Sequence, residues 1–255
     1  MTTTQPCGVL WIVRHGQSAG NVASDAAEAQ GLQTIHLPTR DMDVPLSDLG
    51  RQQAQSLGRW FGHMDACDRP ELVLCSPYIR AHDTALLLLE AGKMTLDVKV
   101  RLDERLREKE FGILDQLTHL GIRQQHPLLD QQRRQVGKFY FRPPGGESWC
   151  DVILRLRSVH EMVTREYAGK RLLVIAHQVI VNCMRYLVEQ LDEKQILMID
   201  RASSVPNCGV TCYKSGSGDT TGRGITPDLV NYVAPLEREG TPVTMARDVP
   251  AAPDP

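Results

Sequence analysis

The chain has 255 residues, 42% of them hydrophobic and 24% charged, with a formal net charge of -2 at pH 7. That balance suits a globular α/β protein with a sizeable core, and it gives no overall basic character for nucleic acid or an acidic membrane surface. No apolar stretch approaches a membrane span, and the N-terminus MTTTQPCGVLW lacks the basic region and long apolar run of a secretory signal, so a cytoplasmic protein is expected.

Residues 8–13 are a short β-branched run that predicts a buried strand. Residues 22–44 show no strong periodicity and read as an inserted loop. The stretch PLSDLGRQQAQSLGRWF, 45–61, predicts a helix with Ser47 as N-cap and Leu49, Gln53, Leu57 and Trp60 along one stripe. ELVLCS, 71–76, predicts a second strand, and 77–92 a helix with Pro77 in its first turn and Gly92 past its end. Residues 95–102 predict a third strand. A long amphipathic helix is expected over 146–169, capped by Ser148 with Asp151 three residues on. RLLVIAH, 171–177, predicts a fourth strand and 179–191 a helix, while 210–214 and 228–233 suggest further strands. The Gly, Ser and Thr of 215–224 suit a surface loop, and 247–255 lacks apolar anchors and reads as a flexible tail. Alternating strands and helices imply a mostly parallel sheet covered on both faces, a three-layer α/β/α sandwich in one domain over 1–246.

The seven cysteines are scattered. Even Cys208 and Cys212 lack zinc-site spacing, so reduced thiols acting mainly as core residues are expected.

In an open α/β sheet, ligands bind beyond the carboxyl ends of the strands. The first predicted strand ends on Arg14-His15-Gly16, the second delivers Ser76 and, a turn later, Arg80, and the fourth delivers His177. The segment RLREKEFG after the third strand brings Glu108 and Glu110. Each residue alone has an ordinary structural explanation, such as a hydrogen-bonded histidine or a surface salt bridge. Together they form a kit for phosphoryl transfer: guanidiniums for the equatorial oxygens, an imidazole nucleophile, and a carboxylic acid of raised pKa for the leaving alkoxide. A strand end also holds the nucleophile on a rigid element, where in-line geometry is kept.

These residues resemble the histidine phosphatase superfamily, the phosphoglycerate mutase-like proteins. VRHGQSAGN is similar to the family's Arg-His-Gly signature, PLSDLGRQQA to its next helix start, and CSPYIRAHDTA to its second arginine motif. REKEFG, PPGGES and VIAHQ resemble its general-acid, pre-helix and second-histidine segments, in the family's order over about 8–213. The resemblance implies a phosphoglycerate mutase-like fold, with His15 as phosphorylated nucleophile and Glu108 as proton donor, Glu110 being the competing choice. It implies a phosphate pocket of Arg14, Asn21, Arg80 and His177, with Gln178 offering a backbone N–H where the family often has glycine. It implies no cofactor and no metal.

In the family, water takes the phosphoryl group in phosphatases and a second substrate hydroxyl takes it in mutases. The mutase stretches Phe-Thr-Gly-Trp and Arg-His-Tyr-Gly are absent here, which favours a metal-independent phosphomonoesterase with a small phosphate monoester as partner. The alternatives are a phosphoglycerate mutase-type transferase and a catalytically weak phosphate-binding protein. No nucleic-acid or membrane partner is expected, and a homodimer stays open. A nucleotide-binding Rossmann domain is excluded, because no Gly-x-Gly-x-x-Gly follows the first strand. Residues 113–145 form a lid-like segment whose Arg133, Arg134, Lys138, Tyr140 and Arg142 read mainly as a solvated basic helix and a packed aromatic loop, with substrate anchoring as the competing reading.

Overall fold

A computed structural model describes residues 8–215 and 225–245. The strands are β1 (Val9–Arg14), β2 (Leu72–Cys75), β3 (Lys99–Leu102), β4 (Arg171–Ala176), β5 (Val210–Ser215) and β6 (Ile225–Tyr232). The helices are α1 (Ala19–Ala29), α2 (Asp48–Gly62), α3 (Ile79–Ala91), α4 (His119–Gln125), α5 (Pro127–Val136), α6 (Trp149–Glu166), α7 (Gln178–Val188), α8 (Glu193–Ala202) and α9 (Ala234–Arg238). The strands form one sheet in the order β3-β2-β4-β1-β5-β6. Pairing is parallel from β3 to β1, while β5 runs antiparallel to β1 and β6 antiparallel to β5.

The near-continuous apolar runs of β1 and β4 follow from burial on both faces. Alternate residues point to opposite layers. Leu10, Ile12, Leu172 and Val174 pack with Val152, Leu156 and Ile180 from α6 and α7. Trp11, Val13, Leu173 and Ile175 pack with Leu57, Phe61, Ala85 and Leu88 from α2 and α3. The expected three-layer sandwich is what the chain adopts, and both C-terminal strands join the main sheet. β3 is the polar edge strand, its residues exposed or half-buried.

Ser47 caps α2 by accepting from Gly50 N–H at 3.0 Å. Ser148 and Asp151 form a reciprocal capping box at α6, which therefore starts at Trp149 rather than at 146. Two expectations are corrected. Pro77 is not in the first turn of α3, because Tyr78 holds the cap position with extended backbone and the helix begins at Ile79. Residues 22–44 are not all loop: Ser18 and Asn21 form a second capping box that launches α1, whose inward face of Asn21, Ser24 and Ala27 carries no large apolar residue for a periodicity to reveal. The expected loop over 215–224 lies outside the described residues except for Ser215, which ends β5, and the tail 247–255 lies wholly outside them.

Candidate active site

Register brings the two site histidines together. Arg14 pairs with Ala176 in the β1–β4 ladder, and His15 N–H donates to Ala176 O at 2.9 Å. His15 and His177 are therefore the next residues off adjacent parallel strands. Both are fully buried, with ring centroids 5.1 Å apart in edge-to-face geometry. β2 stops level with them, since Cys75 pairs with Ile175 and Ser76 N–H donates to Ile175 O at 3.0 Å.

His15 Nδ1 lies 2.7 Å from Gly16 O. A carbonyl only accepts, so Nδ1 carries the proton and Nε2 holds the lone pair. The turn after His15 leaves no room for side chains: a Cβ on Gly16 would meet Gly50 O at 2.4 Å. Gly16 N–H donates to Thr84 Oγ1 at 3.0 Å, and Thr84 Oγ1 donates to Arg80 O at 2.7 Å, which ties the histidine turn to the helix bearing Arg80.

His177 Nε2 lies 2.8 Å from Ser76 Oγ, which also accepts from Tyr78 N–H at 3.3 Å. The Ser76 hydroxyl, with one proton and two lone pairs, serves both contacts with either ring tautomer. Nδ1 in turn faces Glu108 Oε2 at 4.0 Å. Burial holds the His177 pKa well below its ordinary value of 6.5, reinforced by Arg80, His15, Arg14 and Arg155. His177 is thus held neutral.

Glu108 is 2% exposed, and its Oε1 accepts from Lys109 N–H at 2.7 Å. Glu110 instead reaches the surface, where Tyr78 Oη donates to it at 3.2 Å. Glu108 lines an open cleft of about 520 Å³ together with Asn21 and Arg80. Arg80 donates from Nη1 to Asp41 O at 2.5 Å and from Nη2 to Asp41 Oδ2 at 3.2 Å, and its guanidinium lies 5.0 Å from the Tyr78 ring centre. Arg14 is fully buried, with Nη1 donating to Val205 O at 2.7 Å. Asn21 spends its Oδ1 on Ser18 N–H at 3.0 Å, so its amide N–H2 group is the part available to a ligand.

The structure brings His15 and His177 together, with Glu108 4.0 Å from His177, and Glu108, Asn21 and Arg80 line the cleft; Arg14, His15 and His177 are fully buried and do not line it. Gln178 is buried as the first residue of α7 and does not line the cleft. Of residues 113–145, Asp115 and Gln116 line it. Arg134, Lys138 and Arg142 instead pair with Asp130, Asp200 and Asp151, and Phe139 and Phe141 are buried while Tyr140 is exposed. Two residues without a local sequence signal emerge. Asn207, on the loop before β5, donates from Nδ2 to His15 O at 3.1 Å and to Asn21 Oδ1 at 3.4 Å. Asp41 is the partner of Arg80. Among the described residues, no group of three or more His, Cys, Asp or Glu side chains is placed to hold a metal ion, and no helix is long and apolar enough to cross a membrane.

The family model of the histidine phosphatase superfamily (branch 1) matches residues 10–225. A 2,3-bisphosphoglycerate-dependent phosphoglycerate mutase 2 of Gloeobacter violaceus is 31% identical over 210 residues, 78% of this chain and 83% of that protein. A glucosyl-3-phosphoglycerate phosphatase of Mycobacterium tuberculosis is 35% identical over 158 residues, 62% of this chain and 61% of that protein. Among solved structures, a mycobacterial glucosyl-3-phosphoglycerate phosphatase in complex with VO3 superposes with a TM-score of 0.65 at 28% identity, covering 88% of this chain and 98% of that one.

Proposed function

We propose a phosphomonoesterase activity for this chain, which belongs to the histidine phosphatase superfamily, whose phosphatase and mutase members are its relatives. The observation that carries the reading is the juxtaposition of the His15 and His177 rings, 5.1 Å apart, with Glu108 4.0 Å from His177 at the edge of an open cleft.

The lone pair of His15 Nε2 attacks phosphorus in line, forming the N–P bond as the P–O bond to the alcohol breaks. Glu108, in its protonated form, gives its proton to the departing oxygen. The Glu108 carboxylate then takes a proton from water, whose oxygen bonds to phosphorus as the N–P bond breaks, and inorganic phosphate leaves with Glu108 protonated again. Arg14 and Arg80 supply positive charge to the phosphoryl oxygens, while Asn21 and neutral His177 supply N–H donors. Asp41 orients Arg80, Ser76 anchors the His177 ring, and Asn207 fixes the backbone of His15.

Mutase chemistry is the second reading, favoured by the similarity to the Gloeobacter violaceus enzyme. Phosphate release from p-nitrophenyl phosphate and 3-phosphoglycerate, with His15→Ala as control, separates the two. His15-dependent release of inorganic phosphate supports the phosphatase. Transfer of label between phosphoglycerates without net release would replace it with the mutase.

A further inference from the structure

The cleft beyond the phosphate-binding residues has a one-sided charge. Its apolar wall is Ile35, Leu37, Val44 and Phe111, with Ile35 and Val44 almost wholly buried. Its polar rim includes Asp41 and Asp115. Asp115 follows the 3-10 turn Gly112–Leu114 and accepts from Gln116 N–H at 3.0 Å. Burial first, and the neighbouring charge of Asp41 second, raise the Asp115 pKa, so the two carboxylates share one field.

Among the described residues lining the cleft, Arg80 is the one cation, and it is matched to Asp41 Oδ1 at 2.9 Å. Lys109 is buried, does not line the cleft, and places its ammonium 4.3 Å from the Phe111 ring centre. A phosphoryl group thus finds charge only at the His15 end. A second anion on the alcohol part of the same molecule would meet the Asp115 carboxylate, beside an Asp41 whose charge Arg80 already matches.

We infer that the substrate is a phosphate monoester whose alcohol part is uncharged and partly apolar, and that the cleft rejects bisphosphates and phosphorylated carboxylic acids. This rests on the phosphatase reading, and it sets the chain apart from the phosphoglycerates in its relatives' names. The selection is by exclusion: the apolar wall favours carbon surface, and the Asp115 carboxylate on the rim repels a second negative charge.

Two matched pairs test it. Glycerol 1-phosphate and 3-phosphoglycerate differ by a hydroxymethyl group against a carboxylate, and fructose 6-phosphate and fructose 2,6-bisphosphate by a phosphate. The expected kcat/KM of the member with the phosphate as its one anionic group exceeds that of its partner by about tenfold or more, the effect of one unfavourable charge contact at short range. Asp115→Asn is expected to narrow that ratio. Equal or reversed preference in both pairs, or a ratio indifferent to Asp115→Asn, overturns the inference. Calorimetric binding of the same pairs to His15→Ala protein reads the preference without turnover. Absent hydrolysis with the preference intact would therefore defeat the phosphatase reading alone.

Discussion

Acidification is expected to unfold this protein through His177. The imidazole is fully buried, and burial together with the neighbouring Arg80, His15, Arg14 and Arg155 holds its pKa well below 6.5. The unfolded chain regains a histidine of ordinary pKa, so below about pH 6.5 the unfolded state binds a proton that the folded state refuses. Stability is therefore present above that pH and is lost as pH falls. The slope approaches about 1.4 kcal/mol per pH unit, which integrates to about 2 kcal/mol between about pH 7.5 and about pH 5. His160, also held low by burial, adds to the slope in the same direction. The depressed carboxylates Asp103, Glu147 and Asp151 lose their contribution further down, as pH falls from their ordinary values of 3.8 to 4.5 through their lower folded ones. Lys109, pushed down to about 8, changes above the window. Urea unfolding of the wild type and of His177→Gln at several pH values isolates the His177 share as a difference of slopes. The variant is expected to lose about 2 kcal/mol less over the window. Parallel pH dependences would refute the claim that His177 is held neutral in the fold.

Three further outcomes follow from the geometry. Glu108→Gln is expected to lower kcat about 10²-fold or more on an alkyl phosphate but only a few-fold on p-nitrophenyl phosphate, whose leaving group needs little proton assistance; Glu110→Gln is expected to leave both nearly unchanged, and steady-state assays on the two substrates check this. Gly50→Ala would put a Cβ 1.9 Å from Gln17 O, so it is expected to cost about 1–3 kcal/mol in urea unfolding and to depress phosphate release by shifting the turn after His15. Ser148→Ala removes the α6 cap, at an expected cost of about 1 kcal/mol with kcat unchanged.

What the sequence discloses about this site is what lies at strand ends. β1, β2 and β4 are short, β-branched and apolar, so the polar residues that follow each of them stand out, and parallel register aligns those ends in space. The N-caps Ser47 and Ser148 are legible for the same reason, since a hydroxyl immediately before a helical run has one local job. What stays hidden depends on chain return. Asn207 reaches His15 O across 192 positions and lies in SSVPNCG, a stretch with no periodicity. Asp41 gains its role only when the turn Asp41–Asp43 folds against α3. α1 escapes notice because its buried face is Asn21, Ser24 and Ala27, small and polar where a hydrophobic stripe is sought. The short α4 and α9 offer too few turns for a pattern to register.

The same electrostatics favour an anion at the proposed phosphate site, and its occupation is expected to stabilise the fold. Arg14 and Arg80 both press His177 toward its neutral form, which means that their positive fields converge on the pocket. Arg80 pairs with Asp41, and Arg14 donates to Val205 O from a fully buried position. A phosphate dianion near the two guanidiniums gains from both fields. Phosphate at about 100 times its Kd is therefore expected to add about 2.7 kcal/mol, or about 5–10 °C in Tm for a domain of this size. Arg80→Ala should remove most of that shift; because Arg80 is buried against Asp41 the unliganded Tm is expected to fall too, so the phosphate increment is compared within each protein. Thermal unfolding across a phosphate series, at constant ionic strength kept with chloride, checks both. A shift that chloride reproduces, or that survives in Arg80→Ala, would mean that general screening and not a built dianion site produces the stabilisation.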